Sequence, residues 1–313
     1  ASIRSNADYD AAASLYASQE WAMVIPVLKA FVQNFPGHKL RADADSKLAL
    51  AYEKSGDWQR AAGAYEVLYR SETDSNKKRL LLWQVAEFYE KGKQRDKAIE
   101  VYKRYIITFP GAFDEAIEAR HRLATIYQKK GQLQSRHYWL GKLIEANKAG
   151  TDTDRSRYLA ANAELELAEP MYVRYRKVHL VQPLKENLKK KKQLMQESIK
   201  AFTAAANYGV EAVTTASTFH IAEIYNDFGQ GLFDSERPKG LSVDELEQYD
   251  ILLEEQAYPF EEKAIEVHVV NTLRAREGIY DEWVRKSFFA LTKLSPGRYA
   301  KNERSEQVSN AIE

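Results

Sequence analysis

The chain has 313 residues, a formal net charge of +1 and 44% apolar residues, and it contains no cysteine. This balance argues against an intrinsically disordered chain and against general polyanion binding, so we expect no nucleic-acid partner. The lack of cysteine excludes disulfides, thiolate metal sites and a cysteine nucleophile. No run of apolar residues approaches the roughly 20 that are needed to cross a bilayer.

The first 37 residues predict a pair of amphipathic helices. An alanine-rich helix over residues 8–18 precedes a helix over residues 21–35, in which apolar residues recur every three or four positions. Phe35-Pro36-Gly37 then ends the pair, because proline cannot continue the helix. The same three residues recur at positions 109–111. We therefore expect these tripeptides to mark the ends of equivalent structural units.

Residues 46–70 give the clearest version of this unit. They predict two short helices that meet at Gly56-Asp57, with Ala49 on the first helix and Ala61 on the second. Small residues at these two positions allow the helices to approach closely. One such pair cannot bury its own apolar face, so the pairs must stack on one another.

The unit recurs along the first half of the chain. Tyr52 is followed by Tyr89 and Tyr127 at separations of 37 and 38 residues, and Ala61 is followed by Ala98 at a separation of 37. We predict two regions on this basis: residues 1–149, with about four regular units of about 37 residues, and residues 150–313, where the helical pattern continues but the period is lost.

The second region begins at a polar linker, GTDTDR, and has three further boundary signals. Pro170 is expected to kink or break the helix that contains it. Ser242 and Glu245 predict a capping box that starts a long acidic helix. Tyr258-Pro259-Phe260 is expected to open the next helix, and residues 301–313 to form a frayed tail or a capping helix.

The sequence contains no catalytic or metal-binding constellation. Its six histidines form no HExxH motif, and no GxGxxG, Walker or GxSxG loop occurs. His220 and Glu223 have the spacing of half a helical metal pair, but no second half follows. We therefore predict that the protein is not an enzyme and binds no metal or cofactor.

The pattern of a small residue, a tyrosine, a glycine turn and then an alanine and an aromatic residue resembles the tetratricopeptide repeat. This resemblance implies an all-α, right-handed superhelical solenoid of antiparallel helix pairs, with a regular N-terminal half and a degenerate C-terminal half of long helices. It also implies a non-enzymatic scaffold or adaptor for protein–protein interaction.

In that family the first helix of each repeat lines a concave face that binds a partner. Carried over to this chain, the resemblance implies a partner-binding face that includes Tyr9, Tyr16, Leu50, Glu53, Trp83, Glu87, Glu90, His121 and Gln128. This mixture of aromatic and acidic residues suits a partner helix or extended peptide with apolar and basic anchors. Packing between repeats is the competing interpretation for Tyr16 and Trp83.

A basic run, Lys189, Lys190, Lys191 and Lys192, predicts contact with anionic lipid headgroups or nucleic acid. A solvated loop or helix start is the competing interpretation. Residues 235–266 are acidic in contrast. Because two regions of one chain carry opposite charges, they can attract each other between copies of the chain, and a head-to-tail homo-oligomer is a further expectation.

The 37-residue spacing, the Phe-Pro-Gly unit ends and the segment Ala257–Tyr299 resemble proteobacterial cell-envelope proteins with tetratricopeptide repeats. Some of these accompany Tol/Ton-type motors or gliding machinery. The resemblance implies a periplasmic or membrane-associated adaptor, in contact with a membrane or an integral-membrane complex, and a first residue of Ala1 rather than Met fits a removed export signal. The alternatives are a cytosolic peptide-binding adaptor or regulator and, with less support, a glycan-acting enzyme or accessory factor.

Overall fold

The computed structural model describes residues 2–300, and every regular element in that range is helical. The prediction of an all-α chain is confirmed. The first eight helices have 14 to 17 residues each: α1 Ser2–Ala17, α2 Trp21–Asn34, α3 Arg41–Lys54, α4 Trp58–Ser71, α5 Ser75–Lys91, α6 Arg95–Thr108, α7 Phe113–Lys129 and α8 Leu133–Ala149.

The next four helices are longer, up to the 31 residues of α12, and the last two are short, with 13 and 4 residues. They are α9 Asp154–Arg176, α10 Leu184–Ala206, α11 Glu211–Phe233, α12 Val243–Leu273, α13 Glu282–Leu294 and α14 Pro296–Tyr299. The helices form two compact units that divide between Lys142 and Leu143, inside α8. No helix within residues 2–300 combines the length and the apolar character that crossing a membrane requires.

In the first unit each helix from α1 to α6 packs against the next one in the chain. The connections have only three to six residues, so neighbouring helices run antiparallel. Alanines lie on the buried faces of these helices: Ala49 and Ala61 in one pair and Ala86 and Ala98 in the next are fully buried. These are the small residues that the period predicts.

A left-handed residue turns the chain between the two helices of each pair. It is Gln19 (φ 58°), Gly56 (φ 74°), Lys93 (φ 59°) and Gly131 (φ 69°) in the four pairs, at separations of 37, 37 and 38 residues. In the third pair the glycine comes one residue early. A Cβ on Gly92 would lie 3.1 Å from the Phe88 carbonyl oxygen and 3.4 Å from the Trp58 Cβ, so close packing accounts for that glycine.

We expect Lys93→Gly to raise the free energy of unfolding by about 0.5–1 kcal/mol, because a residue with a Cβ is strained at positive φ. Chemical denaturation measures the change. Gly131→Ala is the matched control with the opposite sign: its Cβ would meet no atom within 4 Å, so the expected loss of about 1 kcal/mol reports φ alone. A destabilised Lys93→Gly variant would contradict this account of the turn.

The helix ends follow their sequence signals. Phe35 and Phe109 end α2 and α6 with nearly the same backbone angles, φ −127° and −125°, as the repeated Phe-Pro-Gly predicts. Asp57 and Asp74 cap α4 and α5 by accepting a backbone N–H three residues on. Ser242 and Glu245 form the capping box predicted for α12.

Pro170 and Pro259 do not break their helices, so the two helix breaks predicted there are wrong. α9 continues through Pro170, and α12 continues through Pro259, so Tyr258-Pro259-Phe260 opens no new helix. Buried residues on either side hold each helix in place, as Ala257 and Ala264 do around Pro259. Tertiary packing therefore offsets the missing amide of each proline. The predicted tail, residues 301–313, lies outside the described residues.

Candidate partner-binding surface

The nine residues predicted for partner binding all lie on α1, α3, α5 and α7, the first helices of the four pairs. Several of them already contact other residues of the protein. The Tyr9 hydroxyl donates to Asp43 on α3, and Lys47 pairs with the same carboxylate at 2.5 Å. The Lys47 ammonium also lies 5.7 and 5.6 Å from the ring centroids of Tyr9 and Tyr16. These contacts tie the first helix to the third.

Two predicted acidic residues hold helix pairs together from within. Glu53 accepts a hydrogen bond from Tyr65, and Glu90 accepts one from Tyr102 at 3.1 Å; both members of the second pair lie 37 residues after those of the first. Burial, and after it the Glu90 charge, raises the pKa of Tyr102, so this phenol stays a donor. This structural role of Glu53 and Glu90 was not predicted from the sequence, although their 37-residue spacing was visible there.

Glu90 also joins α5 to α7. It lies 3.6 Å from Arg122 and 3.8 Å from Lys129, and Arg79 on α5 pairs with Glu115 on α7. The first helices of the third and fourth pairs are therefore bridged by ion pairs. Those of the first two pairs are bridged by the hydrogen bond from Tyr9 to Asp43 and by the contacts of Lys47 with the rings of Tyr9 and Tyr16.

The remaining predicted residues differ in accessibility. Trp83 packs edge-on against the fully buried rings of Tyr102 and Tyr105, at centroid distances of 5.5 and 5.2 Å. The exposed Gln128 accepts a hydrogen bond from Arg136 at 2.7 Å. Leu50, Glu87 and His121 are half-buried.

A groove of about 820 Å³ opens between α3 and α5, where such bridges are missing. Among the described residues no side-chain hydrogen bond or ion pair joins these two helices. The reason lies in two substitutions within the repeat. Ala42 lies 37 residues before Arg79, and Gln84 lies 38 before Arg122, so neither can make the bridge that its counterpart makes. Both Ala42 and Gln84 line the groove.

The groove is apolar with a basic rim. Val67 and Leu80 line it with 47% and 56% of their surface exposed. Its rim includes Lys39 and Lys77, and no carboxylate lies within ion-pair distance of either ammonium in the described residues. The groove thus offers apolar contact together with two cations. None of the nine predicted residues lines it.

Its acidic side chains are already occupied. Asp45 pairs with Arg41 at 2.8 Å. Glu72 accepts the backbone N–H groups of Thr73 and Asp74 at 2.7 and 2.9 Å, and these bonds lower its pKa. Because these carboxylates are engaged, the charged groups of the groove that are open to a ligand are the two rim lysines.

The basic run on α10 does not form one surface. Lys191 is only 6% exposed, its Nζ donates to the Val178 carbonyl at 3.0 Å, and it lies 4.4 Å from the centroid of the Tyr175 ring. Burial lowers the pKa of Lys191. The prediction that Lys191 contacts an anionic surface is therefore wrong, because helical periodicity turns it into the core. Lys189, Lys190 and Lys192 are exposed, and for them the contact stays a prediction.

A buried polar cluster joins α11, α12 and α13 in the second unit. His268 lies 3.2 Å from Ser287 Oγ through Nδ1 and 3.2 Å from Glu223 Oε1 through Nε2. The order resembles a hydrolase triad, but Ser287 and His268 are fully buried, and Asn271 donates to Ser287 Oγ at 2.9 Å. Because no substrate can reach this serine, the cluster holds helices together.

The described part of the chain contains no group of three side chains placed to ligate a metal ion. His220, which the sequence singled out with Glu223, stacks on Phe202 at a centroid distance of 4.8 Å and lies 3.7 Å from Glu169. Burial lowers the pKa of His220. Its surroundings are those of a core residue.

Two models of one repeat family match the helices around the groove. One matches residues 46–79 and the other residues 81–112, and both describe the tetratricopeptide repeat. Residues 46–79 and 81–112 are therefore similar to tetratricopeptide repeats. Such repeats in general form scaffolds for protein–protein interaction. The two matched segments contain most of the residues that line the groove, including Ser46, Val67 and Lys77.

Solved structures similar to the chain include distant repeat proteins. A tetratricopeptide repeat protein from Parabacteroides merdae is 15% identical with a TM-score of 0.35, over 93% of this chain and 98% of that one. The C-terminal part of a repeat-containing protein from Cytophaga hutchinsonii is 12% identical with a TM-score of 0.37, over 92% and 95%. BtubC (BKLC) from P. vanneervenii is 13% identical with a TM-score of 0.32, over 87% and 94%.

No curated protein sequence is significantly similar to the chain. The fold assignment therefore rests on the two repeat matches and on the packing of consecutive helices described above.

Proposed function

We propose that this protein is a non-enzymatic scaffold that binds a segment of a partner protein in the groove between α3 and α5. The missing bridge between these helices is the observation that carries the proposal, because ion pairs or hydrogen bonds cross the equivalent position on both sides of it. In this groove a partner segment supplies the polar contacts that the other first helices make with one another.

The lining of the groove defines the chemistry of that segment. Val67 and Leu80 are aliphatic and open to solvent, so burying them favours a segment with aliphatic side chains. Lys39 and Lys77 favour acidic residues beside those anchors. This differs from the sequence-based expectation of a partner with basic anchors, which rested on the acidic residues Glu53, Glu87 and Glu90. Glu53 and Glu90 are engaged within the repeats.

A cell-envelope complex is the proposed setting. The Phe-Pro-Gly repeat ends and the segment Ala257–Tyr299 support it through their resemblance to envelope proteins with these repeats. Periplasmic or membrane-associated location, contact of Lys189, Lys190 and Lys192 with anionic lipid, and self-association belong to this proposal. A cytosolic peptide-binding adaptor is the second candidate, and the same groove would serve it.

We expect the double variant Lys77→Glu, Leu80→Asp to lose its partner while keeping its fold. Both residues lie at the groove and are exposed, so the change removes apolar contact and reverses one charge without disturbing the core. Loss of a central contact of this kind weakens binding by about 30-fold or more. The measurement is the amount of each protein that co-purifies with the tagged chain from its source organism.

The matched control is Lys29→Glu, Met23→Asp, which makes the same changes on exposed positions of α2, away from the groove. A protein recovered with the wild type and with this control, but not with the groove variant, is the expected partner. Equal recovery with all three would contradict the proposal.

A further inference from the structure

The first turns of α12 extend past the end of the helix on which α12 packs. α11 ends at Phe233, and a Cβ on Gly229 near that end would lie 3.3 Å from the Ala257 carbonyl oxygen. Because the two helices run antiparallel, residues 243–252 continue beyond the end of α11, for about 15 Å at about 1.5 Å per residue. Residues 243–255 form a segment that we call the acidic tip.

The acidic tip carries negative charge that is only partly neutralised within residues 2–300. It contains six carboxylates, and α12 has no lysine or arginine before Lys263. Asp250 pairs with Arg237 at 2.7 Å, and Glu245 takes part in the capping box. The other four carboxylates are exposed and have no cation within ion-pair distance in the described residues: Asp244, Glu247, Glu254 and Glu255.

Apolar side chains lie among these carboxylates. Val243, Ile251 and Leu252 are 82%, 53% and 50% exposed. Ile251 lies one helical turn from both Glu247 and Glu255, so these three side chains share a face. A surface that combines exposed aliphatic groups with unpaired carboxylates suits a partner that offers ammonium groups on aliphatic stems.

The N-terminal end of α10 is such a surface. Residues 184–192, which we call the basic end, contain one carboxylate, Glu186, and five lysines, of which Lys191 is buried. The other four are exposed and have no carboxylate within ion-pair distance in the described part of the chain: Lys185, Lys189, Lys190 and Lys192. Val181, which is 48% exposed, lies just before α10 and adds an apolar group.

The basic end and the acidic tip flank the same end of α11, which packs against both α10 and α12. A Cβ on Gly231 would lie 3.3 Å from the Lys191 Cε, so α10 passes the last turn of α11 at Lys191. α10 runs antiparallel to α11, so the residues before Lys191 lie towards and past that end. No ion pair joins the two segments among the described residues. Opposite charges therefore lie at one end of the second unit without meeting.

We propose that two copies of the chain form a dimer in which the acidic tip of each copy packs on the basic end of the other. A two-fold axis across the end of α11 makes both contacts at once, because both segments lie at that end, and it closes the assembly. Each copy contributes about 20 residues, which is the number in a specific interface of standard size. Ammonium groups pair with carboxylates, and the lysine stems and Val181 cover Ile251 and Leu252.

Charge complementarity favours a second copy as the occupant. A basic segment of another protein would satisfy the acidic tip but leave the four exposed lysines unpaired, whereas a second copy satisfies both segments. This dimer rests on the self-association included in the proposed function, and gives it a closed two-fold form in place of the head-to-tail arrangement expected from the sequence. It does not involve the groove between α3 and α5, which lies in the first unit.

Dimerisation and lipid contact exclude each other on this account. Lys189, Lys190 and Lys192 are also the lysines proposed to contact anionic lipid, and one ammonium group cannot pair with a carboxylate of the second copy and with a headgroup at the same time. The dimer is therefore expected to form without lipid.

Sedimentation equilibrium of the full chain in lipid-free buffer measures the dissociation constant of the dimer. One variant reverses the charge of the basic end (Lys185→Glu, Lys189→Glu, Lys190→Glu), and another reverses that of the acidic tip (Glu247→Lys, Glu254→Lys, Glu255→Lys). Each alone is expected to weaken dimerisation by about 100-fold or more, because like charges then face each other in both contacts. Their equimolar mixture is expected to form a heterodimer within about tenfold of the wild-type constant, because opposite charges meet again in both contacts.

Two controls locate the effect. The variant Lys29→Glu, Lys97→Glu, Lys200→Glu makes the same change in net charge at exposed positions away from both segments, and is expected to leave the dissociation constant within about threefold. The groove variant Lys77→Glu, Leu80→Asp is expected to dimerise like the wild type, so loss of the partner and loss of the dimer are separate results. All the reversed residues are exposed, so each variant is expected to keep the helical circular dichroism of the wild type.

A wild-type chain that stays monomeric at about 100 μM overturns the proposal, since a specific interface of this size binds more tightly than that. It is also overturned if the control variant weakens dimerisation as much as the reversed variants do, because the charge effect would then be general. A mixture of the two reversed variants that stays monomeric would show that the two segments do not meet. Assemblies that grow beyond the dimer would overturn the two-fold contact in favour of an open, head-to-tail one.

Discussion

Ala61→Trp is expected to lower the free energy of unfolding of the first unit by about 3 kcal/mol or more. Ala61 on α4 and Ala49 on α3 are both fully buried, and the two helices pack against each other. An indole cannot fit between backbones that only methyl groups separate, so the helices must move apart. Because each pair stacks on the next, the displacement also disturbs the packing of α4 on α5.

Chemical denaturation followed by circular dichroism measures this loss. Ala30→Trp is the matched control, because it adds the same side chain at an exposed position of α2 and is expected to change stability by less than about 0.5 kcal/mol. An Ala61→Trp variant as stable as Ala30→Trp would show that the alanines do not mark the helix crossing.

Trp83→Ala is expected to lower the free energy of unfolding by about 2–3 kcal/mol and to leave partner binding nearly unchanged. The indole packs on Tyr102 and Tyr105, two of the largest fully buried side chains, so its removal opens a cavity against the core. Its half-buried position keeps the loss below that of a fully buried tryptophan. Trp83 does not line the groove between α3 and α5.

Leu80→Ala, three residues away on the same helix, is expected to show the opposite pattern. Leu80 is mostly exposed and lines the groove, so its truncation weakens partner binding while stability changes little. Stability comes from denaturation curves, and binding comes from co-purification at a temperature where both variants are folded. If Trp83→Ala loses the partner and keeps its stability, Trp83 belongs to the binding surface, as its place in the repeat first implied.

The repeated positions made much of the first unit predictable. A 37-residue spacing relates Tyr52 to Tyr89 and Ala61 to Ala98, and it follows from the geometry of one helix pair stacked on the next. Phe35 and Phe109 end their helices in one conformation for the same reason. Each of these residues contacts only its own pair and the neighbouring one, so the local pattern is sufficient.

The binding groove could not be predicted in the same way, because it depends on interactions that fail to form. The family pattern assigns the first-helix positions to partner binding, yet Glu53 and Glu90 hold Tyr65 and Tyr102 within their own pairs. Ala42, where the next repeat has Arg79, was a visible signal. Its meaning required knowing that Arg79 bridges to the following first helix.

The second unit departs from sequence rules where packing outweighs local preference. Proline normally ends or kinks a helix, yet α12 runs through Pro259. Leu253 and Ala257 precede this proline and Ala264 follows it, and all three are buried. Similarly, Lys191 reads as one of four equivalent lysines until the helix places it beside Tyr175. Neither outcome follows from composition, since both depend on neighbours far along the chain.

The central claim is that a partner segment occupies the groove between α3 and α5, and site-specific photo-crosslinking in the source organism tests it most directly. A photoreactive amino acid at position 80, followed by separation of cytoplasm, periplasm and membranes, is expected to yield one protein adduct in the envelope fractions. The same probe at position 23 on α2, which is also exposed, is expected to yield none. Equal adducts at both positions, or none at position 80, would contradict the claim, and an adduct confined to the cytoplasm would keep the groove but remove the envelope setting.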